Sequence, residues 1–407
     1  MTRQTLRILM VAPQPFFRPR GTPVSVLHRI RGLQKLGHRV DLHTYPFGDD
    51  PHLPELDIRR SRRPPFLRDV AVGPSLAKAL LDLPLFASAS RAAATLGYDL
   101  VHTHEEAGFL GALLSRRYGI PHVYDMHSSL PQQFSTFGRF NWQMVVRAFE
   151  RLEAFALAHS AGVITVYPYL RDQVEARGFH GPLTLLENTL DFQRPRDGRH
   201  RAAELRRRLQ VGGASTVVYT GTLEPYQGMT LLVATARFLK PLRPGLRIVV
   251  VGGTRAQTAS LRARADASGV GELFRIVPAV PPQEVFDYHD LADALVTCRI
   301  RGVNTPLKIY QYLRSGKPIV ATAIPAHTQV LEPGTAELVE PTPASVARGI
   351  QRVLEDPEHA ARLAHGALRL CQERYSEEAY MRTLGEFMDE VRRRAVPGRR
   401  VGTSAAS

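Results

Sequence analysis

Arg301-Gly-Val-Asn-Thr-Pro-Leu-Lys-Ile-Tyr-Gln-Tyr-Leu-Arg-Ser-Gly-Lys-Pro-Ile-Val-Ala-Thr322 reads as a short helix feeding a buried strand. Thr305 is placed to cap a helix over 305–315 with its hydroxyl, and Pro306 suits the first helical position, where its missing N–H leaves no bond unmade. Leu307, Tyr310 and Leu313 recur at helical spacing on one face. Gly316 supplies a left-handed stop, Pro318 forbids continuation, and Ile319, Val320 and Ala321 open a strand. Lys308 is the odd residue. A cation in the first helical turn opposes the macrodipole by ~0.3–1 kcal/mol. A bound anion at the helix start reverses that sign, because free N–H groups and an ammonium converge on it. A lysine pointing into solvent is the alternative.

The chain around this stretch has 407 residues, 44% hydrophobic and 22% charged, the make-up of a soluble globular protein with room for two domains. Cys298 and Cys371 provide neither a disulfide framework nor metal-ligand spacing and suit a reducing cytosol. The apolar run 6–12 is broken by Arg7 and reads as a strand, too short for a signal peptide or a membrane span. A formal charge of +15 suits nucleic acid, anionic lipid or phosphorylated substrates. The arginine clusters at 59–63, 206–208, 392–394 and 399–400 lack aromatic interleaving and zinc spacing, which argues against nucleic acid as a partner.

In chain order, strand 6–12, loop 13–23 with Gly21 and Thr22, helix 24–36 and strand 38–44 make a βαβ unit. Its loop lies at the carboxyl end of the sheet, where ligands bind. Gly21 lets a backbone approach a ligand there. Residues 46–65 read as a surface connection, and 76–96 as a packed helix pair. Strands 98–104 and 120–126 bring His104, Glu105, Asp125 and His127 to the ligand-bearing edge, where histidine suits chemistry near neutral pH. Helix 140–158, strand 162–166, helix 169–177 and the run 185–191 follow. A basic linker, 194–213, precedes a second α/β set. That set runs through strand 216–220, turn 221–228, strand 246–252 ending at Gly253, and strands 273–277 and 294–297, to the opening helix. Three helices, 344–355, 358–374 and 377–394, finish the chain. The expected division is a first domain over 1–192, a second over 193–375, a helix over 376–395 crossing back to the first, and a flexible tail, 396–407.

The order of these pieces resembles the retaining GT-B glycosyltransferases of family 4. The likeness rests on the early glycine loop, LGHRVDLHT (36–44), YDLVHTHE (98–105), the strand ending at His127, ENTLD (187–191), GTLEPYQG (221–228), VVVGGT (249–254) and TPLKIYQYLRSGKPIVAT (305–322), and covers about residues 6–394. It implies an α/β chain of GT-B architecture, with two facing Rossmann-like domains, parallel sheets and an interdomain cleft. It also implies a metal-independent hexosyltransferase that moves a sugar, with retention, from a nucleotide diphosphate sugar to a glycan or glycolipid in cell-envelope or exopolysaccharide synthesis. The nucleotide-sugar donor is then a co-substrate, with no other cofactor and no metal. By resemblance, the diphosphate lies near Gly221 and the 305–315 helix, the base lies beside 277–280, and Gln311 reaches the ribose. Thr222, Gln227, Gly253, Arg301, Asn304, Thr305, Leu307 and Lys308 complete the donor set. His127 stands where the family places a histidine near the reacting face of the sugar, the catalytic position. Gly21 and Thr22 form the acceptor or phosphate loop. The other expected partners are a glycan or lipid-linked acceptor and an anionic membrane surface, met from the cytoplasm through Arg59, Arg60, Arg62 and Arg63 beside 76–96.

The chain also departs from the family. Thr222 and Gln227 stand where it commonly has Arg and Lys, and Val303 and Gln311 where it commonly has two glutamates. A branch that uses Arg299, Arg301 and Lys308 for the diphosphate is expected. A non-catalytic nucleotide or sugar binder and a nucleotide-sugar epimerase are the alternatives.

Overall fold

Apolar runs bounded by turn residues become parallel strands buried on both faces, and they assemble into two sheets. The computed structural model describes residues 5–17, 22–51, 53, 55–67, 76–129, 143–187 and 198–395. Gly21, the tail 396–407 and most of ENTLD lie outside the described residues. One compact unit comprises Met1–Asn188 with Tyr380–Ser407, and the other Thr189–Ala379.

The first unit holds β1 (Arg7–Ala12), β2 (Arg39–Thr44), β3 (Leu56–Arg60), β4 (Leu100–His104), β5 (His122–Met126), β6 (Gly162–Thr165) and β7 (Leu183–Leu185). They lie in the order β3-β2-β1-β4-β5-β6-β7, all parallel. Its helices are α1 (Thr22–Lys35), α2 (Leu76–Thr95), α3 (Gly108–Tyr118), α4 (Gln143–Ala158) and α5 (Pro168–Ala176). The second unit opens with α6 (Gly198–Arg208). It contains β8 (Thr216–Thr220), β9 (Arg247–Val251), β10 (Phe274–Val277), β11 (Ala294–Thr297), β12 (Ile319–Thr322) and β13 (Glu337–Val339) in the order β10-β9-β8-β11-β12-β13. Helices α7 (Met229–Leu242), α8 (Arg255–Ala267), α9 (Val285–Leu291), α10 (Lys308–Arg314), α11 (Pro325–Thr328), α12 (Pro343–Glu355) and α13 (Pro357–Arg374) cover that sheet. In each sheet the order reverses beside the first strand, between β1 and β4 and between β8 and β11. Loops leaving the carboxyl ends of such neighbours diverge to opposite faces and open a crevice for ligand.

The last helix, α14 (Glu377–Ala395), belongs to the first unit from Tyr380 on. Tyr380, Leu384, Phe387, Met388 and Val391 join the core of β1, β2 and α1. Two glycines make room for it. A Cβ on Gly32 would lie 2.7 Å from Leu384 Cδ2, and one on Gly162 would lie 2.6 Å from Val391 Cγ2.

Four local expectations are corrected. Residues 46–65 contain β3, because Leu56 and Ile58 alternate onto the core while pairing with β2. Arg59 and Arg60 therefore stand in a strand and not in a loop with Arg62 and Arg63. Arg59 pairs with Asp57, and Arg60 donates to the carbonyls of Phe47 and Asp49. Residues 76–96 form one helix and not two. Leu81, Leu85, Ala89, Ala92 and Ala93 keep helical spacing into the core through Pro84, so packing outweighs the proline's ~3 kcal/mol. Helix α1 begins at Thr22, two residues earlier than expected. Helix α10 begins at Lys308, after a turn closed by Ile309 N–H on the Pro306 carbonyl. Thr305 is therefore not its cap, and the Thr305 hydroxyl is buried without a partner among the described residues. No described helix is long and apolar enough to cross a membrane.

Candidate functional site

In the second unit, β8 ends at Thr220 and turns sharply at Gly221, φ 135°, a conformation open to glycine alone. Tyr219, the last-but-one strand residue, is fully buried and donates its hydroxyl to the Thr222 carbonyl at 2.7 Å, with Gln227 Oε1 3.3 Å away. Gln227 Nε2 returns to Thr222 Oγ1 at 3.3 Å. Lys308 enters this turn from α10. Its ammonium donates to Gln227 Oε1 at 3.2 Å and lies 3.7 Å from the Tyr219 ring centroid. A Cβ on Gly221 would lie 2.8 Å from Lys308 Nζ, so the glycine also clears the path for the lysine. Gly221, Thr222, Gln227 and Lys308 are thus brought together. Lys308 is only 7% exposed, which rules out a lysine pointing into solvent. Among the described residues no carboxylate pairs with it. Burial, followed by the neighbouring charge of Arg299, holds the ammonium well below the ordinary lysine range.

Arg299 plays a different part. It is buried, lies over the Tyr226 ring, and donates to the Arg301 carbonyl, the Asn304 carbonyl and Asn304 Oδ1 at 2.9, 2.9 and 2.7 Å. Its guanidinium is a template for the loop after β11. Arg301 and Asn304 are exposed on that loop, and Leu307 and Gln311 are half-buried around Lys308. Gly253 sits on the adjoining turn, its carbonyl accepting from Ala279 N–H at 3.0 Å. Tyr219 was not singled out from the sequence. Its signal is an aromatic hydroxyl one residue before the end of the strand Thr216-Val-Val-Tyr-Thr220.

In the first unit, the pleat of β4 and β5 gathers His102, His104, Asp125 and His127, since alternate residues share a face and His104 registers with Asp125. His127 Nε2 lies 3.0 Å from His104 Nδ1 and 3.3 Å from Asp125 Oδ1. Asp125 is fully buried, and Arg29 Nε donates to its Oδ2 at 2.6 Å. Burial alone would push Asp125 up, yet Arg29 with His104 and His127 holds it well below the usual carboxylate range. Burial also lowers His102 and His104. The ligand atoms of His102, His104 and Asp125 lie within 4.8 Å of one another, near enough for a metal. The guanidinium already on Asp125 opposes a second cation there. Beside this group, Thr22 donates to Glu105 Oε1 at 2.7 Å and Lys78 to Glu106 Oε1 at 2.6 Å. Burial and the adjacent Glu105 raise Glu106 to about 7. The sequence places Thr22, Glu105 and His127 at one sheet edge. It gives no sign of Arg29, in the middle of α1.

Two family models match the chain, Glycosyltransferase Family 4 over residues 19–194 and Glycosyl transferases group 1 over residues 202–369. D-inositol 3-phosphate glycosyltransferase of Thermomonospora curvata is 26% identical over 296 residues, 67% of each chain. Alpha-D-kanosaminyltransferase of Streptomyces kanamyceticus is 26% identical over 300 residues, 69% of this chain and 74% of that one. Among solved structures, sucrose-phosphate synthase of Thermosynechococcus elongatus superposes with a TM-score of 0.74 at 22% identity, covering 95% of this chain and 99% of the other. Anabaena HepE, solved with UDP, gives 0.72 at 18% identity, covering 94% and 100%. With two family models side by side along the chain and two Rossmann-like parallel-sheet units to match, the protein belongs to the family 4-like glycosyltransferases of GT-B architecture.

Proposed function

We propose that this glycosyltransferase moves a hexose from a nucleoside diphosphate sugar to a glycan or lipid-linked acceptor with retention of configuration. The observation that carries the donor assignment is Lys308, a buried ammonium with only neutral partners among the described residues. When the bond from sugar C1 to the diphosphate breaks, the diphosphate oxygen keeps the bonding pair and gains negative charge, the acceptor hydroxyl oxygen bonds to C1, and the hydroxyl proton passes to the departing diphosphate or to water. A cation already desolvated at that point stabilises the departing group more than one in water, because it need not reorganise. Thr222 and Gln227 add neutral hydrogen bonds, and Gln227 holds the ammonium in place. Arg301, exposed on the loop that Arg299 shapes, is a second donor contact in this reading. His127 stands beside the reacting sugar, and Thr22 at the acceptor side. No metal ion is needed for these roles.

HepE was also solved with UDP-glucose, which makes uridine donors the first probes. Calorimetry with UDP, GDP and ADP on the wild type and Lys308→Met tests the site. Losing a charge-assisted bond should weaken the preferred nucleotide about ten- to a hundredfold. Equal affinity in both proteins would remove the donor assignment. Turnover of UDP-glucose, GDP-mannose and ADP-glucose with and without acceptor separates transfer from epimerisation or simple binding.

The setting we propose is the cytoplasmic face of a membrane, in envelope or exopolysaccharide synthesis. Phe66, Leu80 and Leu83 are 71%, 47% and 69% exposed, and Arg62 is exposed in the same connection. Basic residues at an anionic surface contribute ~1 kcal/mol each. Flotation with anionic vesicles at low salt should exceed flotation with neutral ones, and equal flotation would count against membrane contact.

A further inference from the structure

We infer that Arg29, Asp125 and His104 are positioning residues for His127, anchored to the last helix through Tyr380. Together they fix the tautomer that the His127 ring presents to a bound sugar. The inference rests on the reading of His127 as the residue beside the reacting sugar.

The geometry runs outward from Asp125. A carboxylate with no exposure is stable only when paired and hydrogen-bonded, and Arg29, itself 1% exposed, supplies the pair. Arg29 Nη1 in turn donates to the Tyr380 hydroxyl at 2.8 Å, so α14 holds the guanidinium from behind. Asp125 Oδ2 then faces His102 Nε2 at 3.3 Å and His104 Nδ1 at 3.6 Å.

His104 decides the rest. Its Nε2 is buried with no partner, whereas its Nδ1 faces both His127 Nε2 and the Asp125 carboxylate. A buried N–H left without an acceptor is rarer and less stable than an unused lone pair. The His104 proton therefore sits on Nδ1, toward the carboxylate, and is donated to His127 Nε2. The Asp125 Oδ1 contact to that nitrogen, though 3.3 Å, makes no aligned hydrogen bond, so it does not compete as an acceptor. His127 is left with its own proton on Nδ1, the edge not engaged by His104. It presents a hydrogen-bond donor to a sugar oxygen and does not act as a base through that edge.

The wild-type protein itself provides the first test. With histidine labelled in both ring nitrogens, two-bond nitrogen–proton correlations report the tautomer of each ring, assigned with His104→Gln and His127→Ala. Both rings are expected in the Nδ1–H form, the minority form of free imidazole. A His127 ring protonated on Nε2 would overturn the inference, whether or not any variant folds. Kinetics then test the positioning. Asp125→Asn should lower kcat by about tenfold or more, with UDP affinity within about twofold of wild type, and should release the His104 tautomer. A merely structural role would lower the unfolding midpoint without moving the tautomer. Wild-type turnover in His127→Ala would sink the reading of His127. Reduced turnover there, with kcat unchanged in Asp125→Asn, would sink only the positioning set.

Discussion

Lys308 is a buried cation that the fold leaves with only neutral partners among the described residues. Burial and the Arg299 charge hold it well below the ordinary lysine range, so the folded chain binds that proton less tightly than the unfolded chain. The ammonium therefore opposes folding at neutral pH, and that effect fades as pH rises toward the ordinary lysine range. Replacing even a buried ion pair by apolar side chains of similar volume is often neutral or stabilising by ~1–4 kcal/mol, and a buried ion without a charged partner has no pair attraction to lose. Lys308→Met should thus melt a few degrees higher than wild type without ligand. UDP at a hundred times its dissociation constant adds ~2.7 kcal/mol to the wild type. The same UDP concentration, then only about one to ten times the weakened dissociation constant, should add about 0.4–1.4 kcal/mol to the variant. Thermal scans with and without UDP check both signs. A variant that melts lower and keeps the UDP shift would contradict the argument.

At the scale of elements, α14 is held by space as much as by contact. Gly162 in β6 and Gly32 in α1 lie where any Cβ would press on Val391, Phe387, Leu384 or Tyr380. Overpacking of this kind costs ~1–3 kcal/mol, because the neighbours are buried core side chains that must shift to admit the methyl. Gly162→Ala should lower the denaturant midpoint and make α14 more sensitive to limited proteolysis. Gly212, with nothing within 4 Å of a built Cβ and no positive φ, is the control, and its alanine variant should be neutral or slightly stabilised. Equal protease sensitivity in Gly162→Ala and wild type would mean that α14 tolerates the added methyl.

Over the whole molecule, buried imidazoles set the response to acid. Burial lowers His122 to about 3 and both His43 and His327 to about 4. Each is neutral in the folded chain and binds a proton more tightly once unfolded. Stability is therefore unaffected above about pH 6.5 and falls as pH drops below it, by on the order of 1–2 kcal/mol for each group at pH 5. Glu106 works in the opposite direction. Raised to about 7, it binds its proton more tightly when folded, so its contribution is lost as pH climbs from the ordinary glutamate range to about 7. With His102 and His104 also lowered, and Asp82 raised by burial alongside Glu106, five imidazoles against two carboxyls predict a net loss on acidification. Urea midpoints between pH 7 and pH 5 should fall in the wild type, and His122→Asn should flatten the slope whatever its level at pH 7. A midpoint that rises toward pH 5 would contradict the count.

The amino-acid sequence by itself determined the alternation of strands and helices, the parallel sheets and the sheet edge at which the candidate site residues gather. Those follow from backbone geometry between near neighbours, written as apolar runs, glycine stops and strand ends. That Gly221, Thr222, Gln227 and Lys308 share one site was implied by the family resemblance of their motifs, and their contacts are seen only in the folded unit. Thr305 was misread as a cap because a hydroxyl two residues too early looks the same in sequence, and the helix start is decided by how the buried turn closes. β3 was missed because its arginines hide the alternation of Leu56 and Ile58, which only pairing with β2 reveals. Arg29, Asp125 and Tyr380 lie 96 and 351 residues apart along the chain from Arg29 and share no local pattern. Only the tertiary structure could decide their union, because a buried charge is stabilised by whichever partner the packed core brings within reach, irrespective of its distance in sequence.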